Sequence, residues 1–235
     1  PGMSLVPAAG TQETTGSNPT AGVAPGDTYA PVIIQPPLAL SGGPEIWIGA
    51  QGGVTWGGAQ VWVSVDGGAS YGLAGTVTAP ARFGVTDGSV SAVADPDTSS
   101  TIRVDLTASR GALADADQAA ADALLTLCWL DGEVIAFSDA ALVSTNVYDL
   151  GTYIRRGLSG TTAGAHSSGA TFLRLDSAVV RFPISTSLYG TTVHVKLLSF
   201  NTQGGAIQSL ADVTATTFAV QAQAATGAGF GWVID

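Results

Sequence analysis

Lysine is almost absent from this chain: Lys196 is the single one, and the 8 Lys and Arg together face 18 Asp and Glu, a net charge of −10 over 235 residues. Among the arginines only Arg155 and Arg156 are adjacent. Nucleic-acid binding draws on clustered basic side chains that displace counterions from phosphates. That footprint is missing, which excludes nucleic acid as the main partner. Charged residues of both signs amount to 11%, less than half the roughly 25% of an ordinary domain. Cysteine is missing but for Cys128. No internal disulfide can form, and a lone thiol in an apolar stretch reads as a small buried hydrophobe. Long apolar runs are lacking too. Mean hydropathy is positive, yet the longest run, Leu124 to Leu130, is broken by Thr126 and stopped by Asp131-Gly132. A membrane-spanning helix needs roughly 20 apolar residues. The start, Pro1-Gly2-Met3-Ser4, has neither the basic region nor the apolar core of a secretory leader. Both ends read as interrupted, as in a piece of a longer polypeptide.

Glycine is plentiful instead, at 31 residues, where average usage is roughly 7%. Residues 1–40 are rich in Gly, Pro, Ser, Thr and Ala without periodicity and read as an extended linker or an arm draped over a neighbour. Within them Pro31 to Pro37 reads as extended, because the residue before a proline is pushed out of the helical region. From Pro44 onward short strand signals dominate. Glu45-Ile46-Trp47-Ile48-Gly49 alternates, and Gln60 to Val65 sets three valines on one face against Trp62 and Ser64 on the other. Asp66-Gly67, Asp87-Gly88 and Asp131-Gly132 punctuate these runs as hairpin-type turns. Further strands are expected near 71–78, 101–107, 126–130, 133–138, 146–156, 171–176, 178–183 and 192–200. One short helix is expected, with Asp115 as cap, Gln118 completing a capping box and Ala119 to Leu125 as helix formers. The chain is therefore mainly β, built of small antiparallel barrel or sandwich domains with one short helix. The expected division is an arm over 1–40, a β domain over 41–178, and sandwich strands with a tail over 179–235.

Candidate chemistry is sparse. His166 and His194 are the only histidines, and with one cysteine they cannot make the usual four-ligand zinc site. His166 sits in a polar loop, His194 on a strand. No G-x-S-x-G elbow and no phosphate loop occurs. Glycoside cleavage needs paired carboxylates, and the glutamates outside the arm are Glu45 and Glu133. Asp95-Pro96-Asp97 and Asp115-Ala116-Asp117 lack the loop of a calcium hand and read as turn and cap residues. No cofactor or metal is expected. Ser64-Val65-Asp66-Gly67-Gly68-Ala69-Ser70-Tyr71 resembles the Asp-box, a hairpin found in sialidases and many secreted β proteins. In it Asp66 satisfies turn amides, Gly68 supplies a positive φ and Tyr71 packs back on the hairpin.

Two stretches together carry a wider resemblance. The first is Pro44 to Ala50 followed by Trp56 to Gly67. The second runs Leu130-Asp131-Gly132-Glu133-Val134-Ile135-Ala136-Phe137, then Tyr153-Ile154-Arg155-Arg156-Gly157-Leu158-Ser159-Gly160-Thr161-Thr162, then Ala165-His166 and Phe172-Leu173-Arg174-Leu175-Asp176. This series is similar to the C-terminal region of tailed-phage tail-tip and baseplate hub (host-specificity) proteins, and of their gene transfer agent counterparts. The resemblance covers residues 44 to 215. It implies a non-enzymatic structural component of a virion's distal tail tip, assembled in the host cytoplasm. Such a component is a homotrimer that closes the tail tube, binds other tail proteins and touches a host glycan or receptor. In that role Arg155, Arg156 and Asp176 would orient loops or form intersubunit ion pairs, and Gly157 and Gly160 would serve a tight loop. The strands from Thr191 to Asn201, with Gly204-Gly205 and Ser209, look like the late strands of a fibronectin type III-like sandwich.

Two other readings compete. A carbohydrate-binding module would stack sugars on Trp47, Trp56, Trp62 or Tyr71, although aromatics so placed are more often core or interface residues. A glycan-cleaving domain would use Glu45 or Glu133 with an aspartate.

Overall fold

The computed structural model describes residues 24–201 and 207–223. Among the described residues, thirteen strands fall into three sheets. The first is three-stranded and joins β1 (Val32–Ile34), β2 (Glu45–Gly49) and β11 (Val180–Pro183). The second is four-stranded and joins β3 (Trp56–Ser64), β4 (Gly72–Val77), β12 (Thr192–Asn201) and β13 (Thr216–Ala219) in the order β13-β12-β3-β4. The third closes on itself as a six-stranded barrel in the order β10-β5-β6-β9-β8-β7. Its strands are β5 (Phe83–Thr86), β6 (Ile102–Asp105), β7 (Leu127–Leu130), β8 (Glu133–Ser144), β9 (Val147–Arg155) and β10 (Thr171–Arg174), all paired antiparallel. The chain is mainly β, as its turn spacing predicts.

Alternation sets the barrel interior. Ile102 and Val104 are buried between exposed Arg103 and half-buried Asp105, and Cys128 and Leu130 are buried between half-buried Leu127 and Trp129. With Ile135, Phe137, Leu150, Ile154 and Phe172 they form one continuous core. Asp131-Gly132, both at positive φ, close the β7–β8 hairpin where Leu130 pairs with Glu133, the two-residue turn that Asp-Gly specifies. Closure of the barrel leaves it no unpaired edge.

A second core lies between the two open sheets. Ile46 and Ile48 of β2 meet Val61 and Val63 of β3 and Val193 and Val195 of β12, which makes a two-sheet sandwich. The late strands expected to form a sandwich do so, but residues 32–77 supply their partners. Sheet pairing thus nests the barrel between the two halves of the sandwich, and the expected boundary at residue 178 does not follow it. Residues 1–23 of the expected arm lie outside the described residues. The rest of the arm includes β1, which pairs in register with β2.

Helical structure is slight. Besides the expected helix there is a four-residue one, α1 (Leu38–Ser41). The expected helix is α2 (Gln118–Asp122), and its cap is Asp117, whose carboxylate accepts from Ala120 N at 2.8 Å. Asp115 is drawn away because its carboxylate accepts from Ala140 N on β8. Leu124, at φ 59°, ends the helical run before Leu125. Among the described residues no helix is long and apolar enough to cross a membrane.

Candidate functional site

The adjacent arginines sit at the end of β9 and point opposite ways, as successive residues of an extended chain must. Arg156 turns inward, where its side chain is fully buried together with those of Asp97 and Glu133. Its Nε donates to Glu133 Oε1 at 2.6 Å and its Nη2 to Glu133 Oε2 at 2.9 Å. Nη1 reaches Asp97 Oδ2 and the Ser91 carbonyl, each at 3.3 Å, and Nη2 also donates to the Gly164 carbonyl. The planar guanidinium fork suits such a site because it holds several acceptors in one fixed plane.

Glu133 is the centre of this cluster. Beyond Arg156 it accepts from Gly157 N at 2.9 Å and Gly164 N at 3.2 Å, and His166 Nε2 lies 2.8 Å from Oε2. An ionised carboxylate only accepts, so His166 Nε2 is the donor in this contact. Burial alone would raise the Glu133 carboxyl, but the bonds from Arg156, His166 and the two amides outweigh it and hold it below its ordinary value. Asp97 is likewise held low, burial being overcome by the backbone and hydroxyl donors of Ser99 and Ser100. The loop from Gly157 to His166 is therefore fastened onto a carboxylate at the start of β8. Gly157 has φ 59°, and a Cβ there would come within 2.9 Å of Ala163 N. Gly160 has φ 80° in the same loop, so both glycines serve the tight turn expected of them.

Arg155 turns outward. It binds Asp95 through Nε and Nη2 and Asp122 through Nη1, and Tyr153 Oη joins it at Asp122. This pins α2 and the 95–97 loop to β9. Asp176 is bound by Arg82 and accepts from Ala178 N. Arg155, Arg156 and Asp176 are expected to orient loops or to pair between subunits; the ion pairs they make here lie within the chain, because strand closure brings their oppositely charged partners alongside.

The Asp-box-like turn has the expected mechanics. Asp66 accepts from Ser70 N, Ser70 Oγ and Ser64 Oγ, and those bonds hold its carboxyl well below the usual range. Gly68, at φ 90°, donates to Ser64 Oγ at 2.9 Å. Ser64 is buried for this reason, although it shares the face of half-buried Trp62. Tyr71 is covered by Lys196, whose Nζ lies 5.0 Å from the ring centroid.

The surface aromatics need correction. Trp47 is 2% exposed, with Arg181 stacked 4.2 Å over its ring and its Nε1 donating to Glu45. Trp56 is 8% exposed and donates to Thr28 Oγ1. Both belong to cores. Trp62 is half-buried and donates to Gln60 Oε1. Among the described residues no cluster of three or more His, Cys, Asp or Glu could hold a metal.

In the sequence His166 stands in a polar loop, open to a solvated or hydrogen-bonding role, and Glu133 follows a hairpin turn; nothing local shows that they meet. The available signal was the shared series of residues: Glu133, Arg156, Gly157 and His166 all lie within the motifs that carry the resemblance. Residues 81–173 match a family described as Rcc01698-like, C-terminal, a span that coincides with the barrel from β5 to β10. A comparison with curated proteins finds no match.

Proposed function

We propose that this chain is a non-enzymatic structural component of a phage or phage-like tail tip, assembled as a homotrimer with other tail proteins at the distal end of the particle. The observation that carries this reading is the convergence of the Leu130–Phe137, Tyr153–Thr162 and Ala165-His166 motifs on one buried ionic cluster. The likeness to tail hub proteins is then a likeness of one folded unit, with its residues committed to holding a loop in place. Low surface charge fits surfaces packed against copies of themselves, since obligate interfaces are more apolar than ordinary ones.

The carboxylates favour the same reading. A glycosidase acid must hold its proton near neutral pH, which takes a raised pKa. Glu133 is held low by its donors, and Glu45 is occupied by the indole of Trp47.

Light scattering of the purified chain at several concentrations tests the assembly. A stable mass near three times 23.4 kDa is expected, and a monomer at every concentration overturns the trimer. Antibody labelling of particles from the source culture tests the place: label at the distal tail end is expected, and unlabelled particles overturn it.

A further inference from the structure

A cleft of about 350 Å³ opens where β1, the barrel strands β7 and β10, and β13 meet. That volume lies within the range of about 300–1,000 Å³ typical of small-ligand sites. Its lining combines Trp129 and Phe218 with Asp131, Thr171, Gln35 and Gln221. Gln35 is spent, pairing both ends of its amide with the backbone of Gln221. The others are not. Trp47, Trp56 and Trp62 each donate their indole N–H to a side chain. Among the described tryptophans Trp129 is the one whose N–H has no protein partner, and the Asp131 carboxylate and Thr171 hydroxyl are equally free within the described residues.

These groups are held firm by the barrel. Trp129 pairs with Leu173, and Asp131 N donates to the Thr171 carbonyl at 2.9 Å. Cys128 and Leu130 face inward, so Trp129 is turned to the outside of the barrel. Strand pairing thus fixes the backbone that carries Trp129, Asp131 and Thr171, which lowers the cost of binding.

We infer that this cleft binds a neutral saccharide, with the apolar face of a sugar ring on Trp129 and its hydroxyls on Asp131, Thr171 and Gln221. An indole beside a mixed set of uncommitted donors and acceptors matches a ring that is apolar on its faces and hydroxylated at its rim. Asp131 and the lack of any Lys or Arg in the lining reject sialic acid, uronic acids and phosphate esters. The inference goes beyond the structural role and holds whether or not the chain sits at a tail tip.

Saturation-transfer NMR and calorimetry on the purified chain would use glucose, galactose, N-acetylglucosamine, maltose and cellobiose, with sialyllactose as the anionic control. At least one neutral sugar should bind at roughly millimolar affinity, weakened about tenfold or more by Asp131→Ala. Trp129→Ala should do the same, and Trp129→Phe serves if the alanine variant fails to fold, since Trp129 also packs against a third buried cluster of Ile34, Trp47, Phe83 and Leu173. Silence across the neutral panel overturns the inference. So does binding of sialyllactose alone, or sugar binding that Asp131→Ala and the Trp129 variants leave unchanged. None of these results depends on trimer formation or particle labelling, so the two readings fail separately.

Discussion

Glu133 and Arg156, 23 positions apart in sequence, meet as a two-pronged ion pair from which water is excluded on every side. Removing one partner of such a pair leaves an uncompensated buried charge, a loss of about 3–5 kcal/mol. Arg156→Met should therefore lower the urea unfolding free energy by about that much, against about 1 kcal/mol for a typical substitution. The double variant Glu133→Leu/Arg156→Met should lose less than the sum of the two single changes, because the second removes a charge the first stranded. Strict additivity in a denaturation cycle would show that the two groups do not depend on each other.

How much of this was legible beforehand depended on range. The Asp131-Gly132 turn, the Ser64–Tyr71 hairpin and most strands follow from local chemistry, and they appear where turn residues and alternation put them. Glu133 meeting His166 does not, since their contact depends on a barrel closing between β10 and β7, and nothing local encodes closure. The same holds for β5 and β13, short strands whose alternation is too brief to stand out. Trp47 reads as a surface aromatic because its strand alternates, but β2 is covered on both faces, by the sandwich core on one and by a cluster with the barrel residues Phe83 and Leu173 on the other. Trp129 stands in an apolar run like any core residue, and only its missing partner sets it apart.

Acid should unfold the chain in a way that Glu133 reports. Glu133 and Asp97 are both held below their ordinary values of 4.5 and 3.8 in the fold. Below those values the unfolded chain takes up protons that the folded one refuses, so stability rises with pH there. The contribution is complete above the unfolded values and is lost as pH falls through the folded ones. Melting temperature should be level between about pH 6 and 8 and fall below about pH 5. Glu133→Gln should start lower at neutral pH and fall less steeply. A variant with an unchanged acid slope would mean that Glu133 keeps its ordinary titration.

Gly84 tests barrel closure. It lies in β5 at ordinary extended φ, yet a Cβ there would stand 1.8 Å from the Asp105 carbonyl oxygen and 2.9 Å from Leu106 Cα. Those obstacles are backbone, so no rotamer change relieves them. Gly84→Ala should force β5 from β6 and cost about 3 kcal/mol or more, at the upper end of overpacking effects. Near-ultraviolet circular dichroism and a urea titration would show it, and a loss under about 1 kcal/mol would mean that β6 shifts freely.

Cys128 offers a probe of the same closure from inside. Its side chain is wholly buried, and burial pushes the thiol up to about 12 despite the opposing pull of Arg174 and Arg82. The thiolate is the reacting form, so at pH 8 the native chain holds almost none, and the sulfur is out of reach besides. A disulfide reagent should label one thiol per chain promptly in denaturant. In buffer, labelling should be slower by about a thousandfold or more, at a rate that tracks the unfolded fraction. Reagent uptake that outpaces global unfolding would mean that β7 parts from β8 or β10 on its own. It would also place the weakest seam of the barrel beside Trp129, where the saccharide cleft needs its firmest wall.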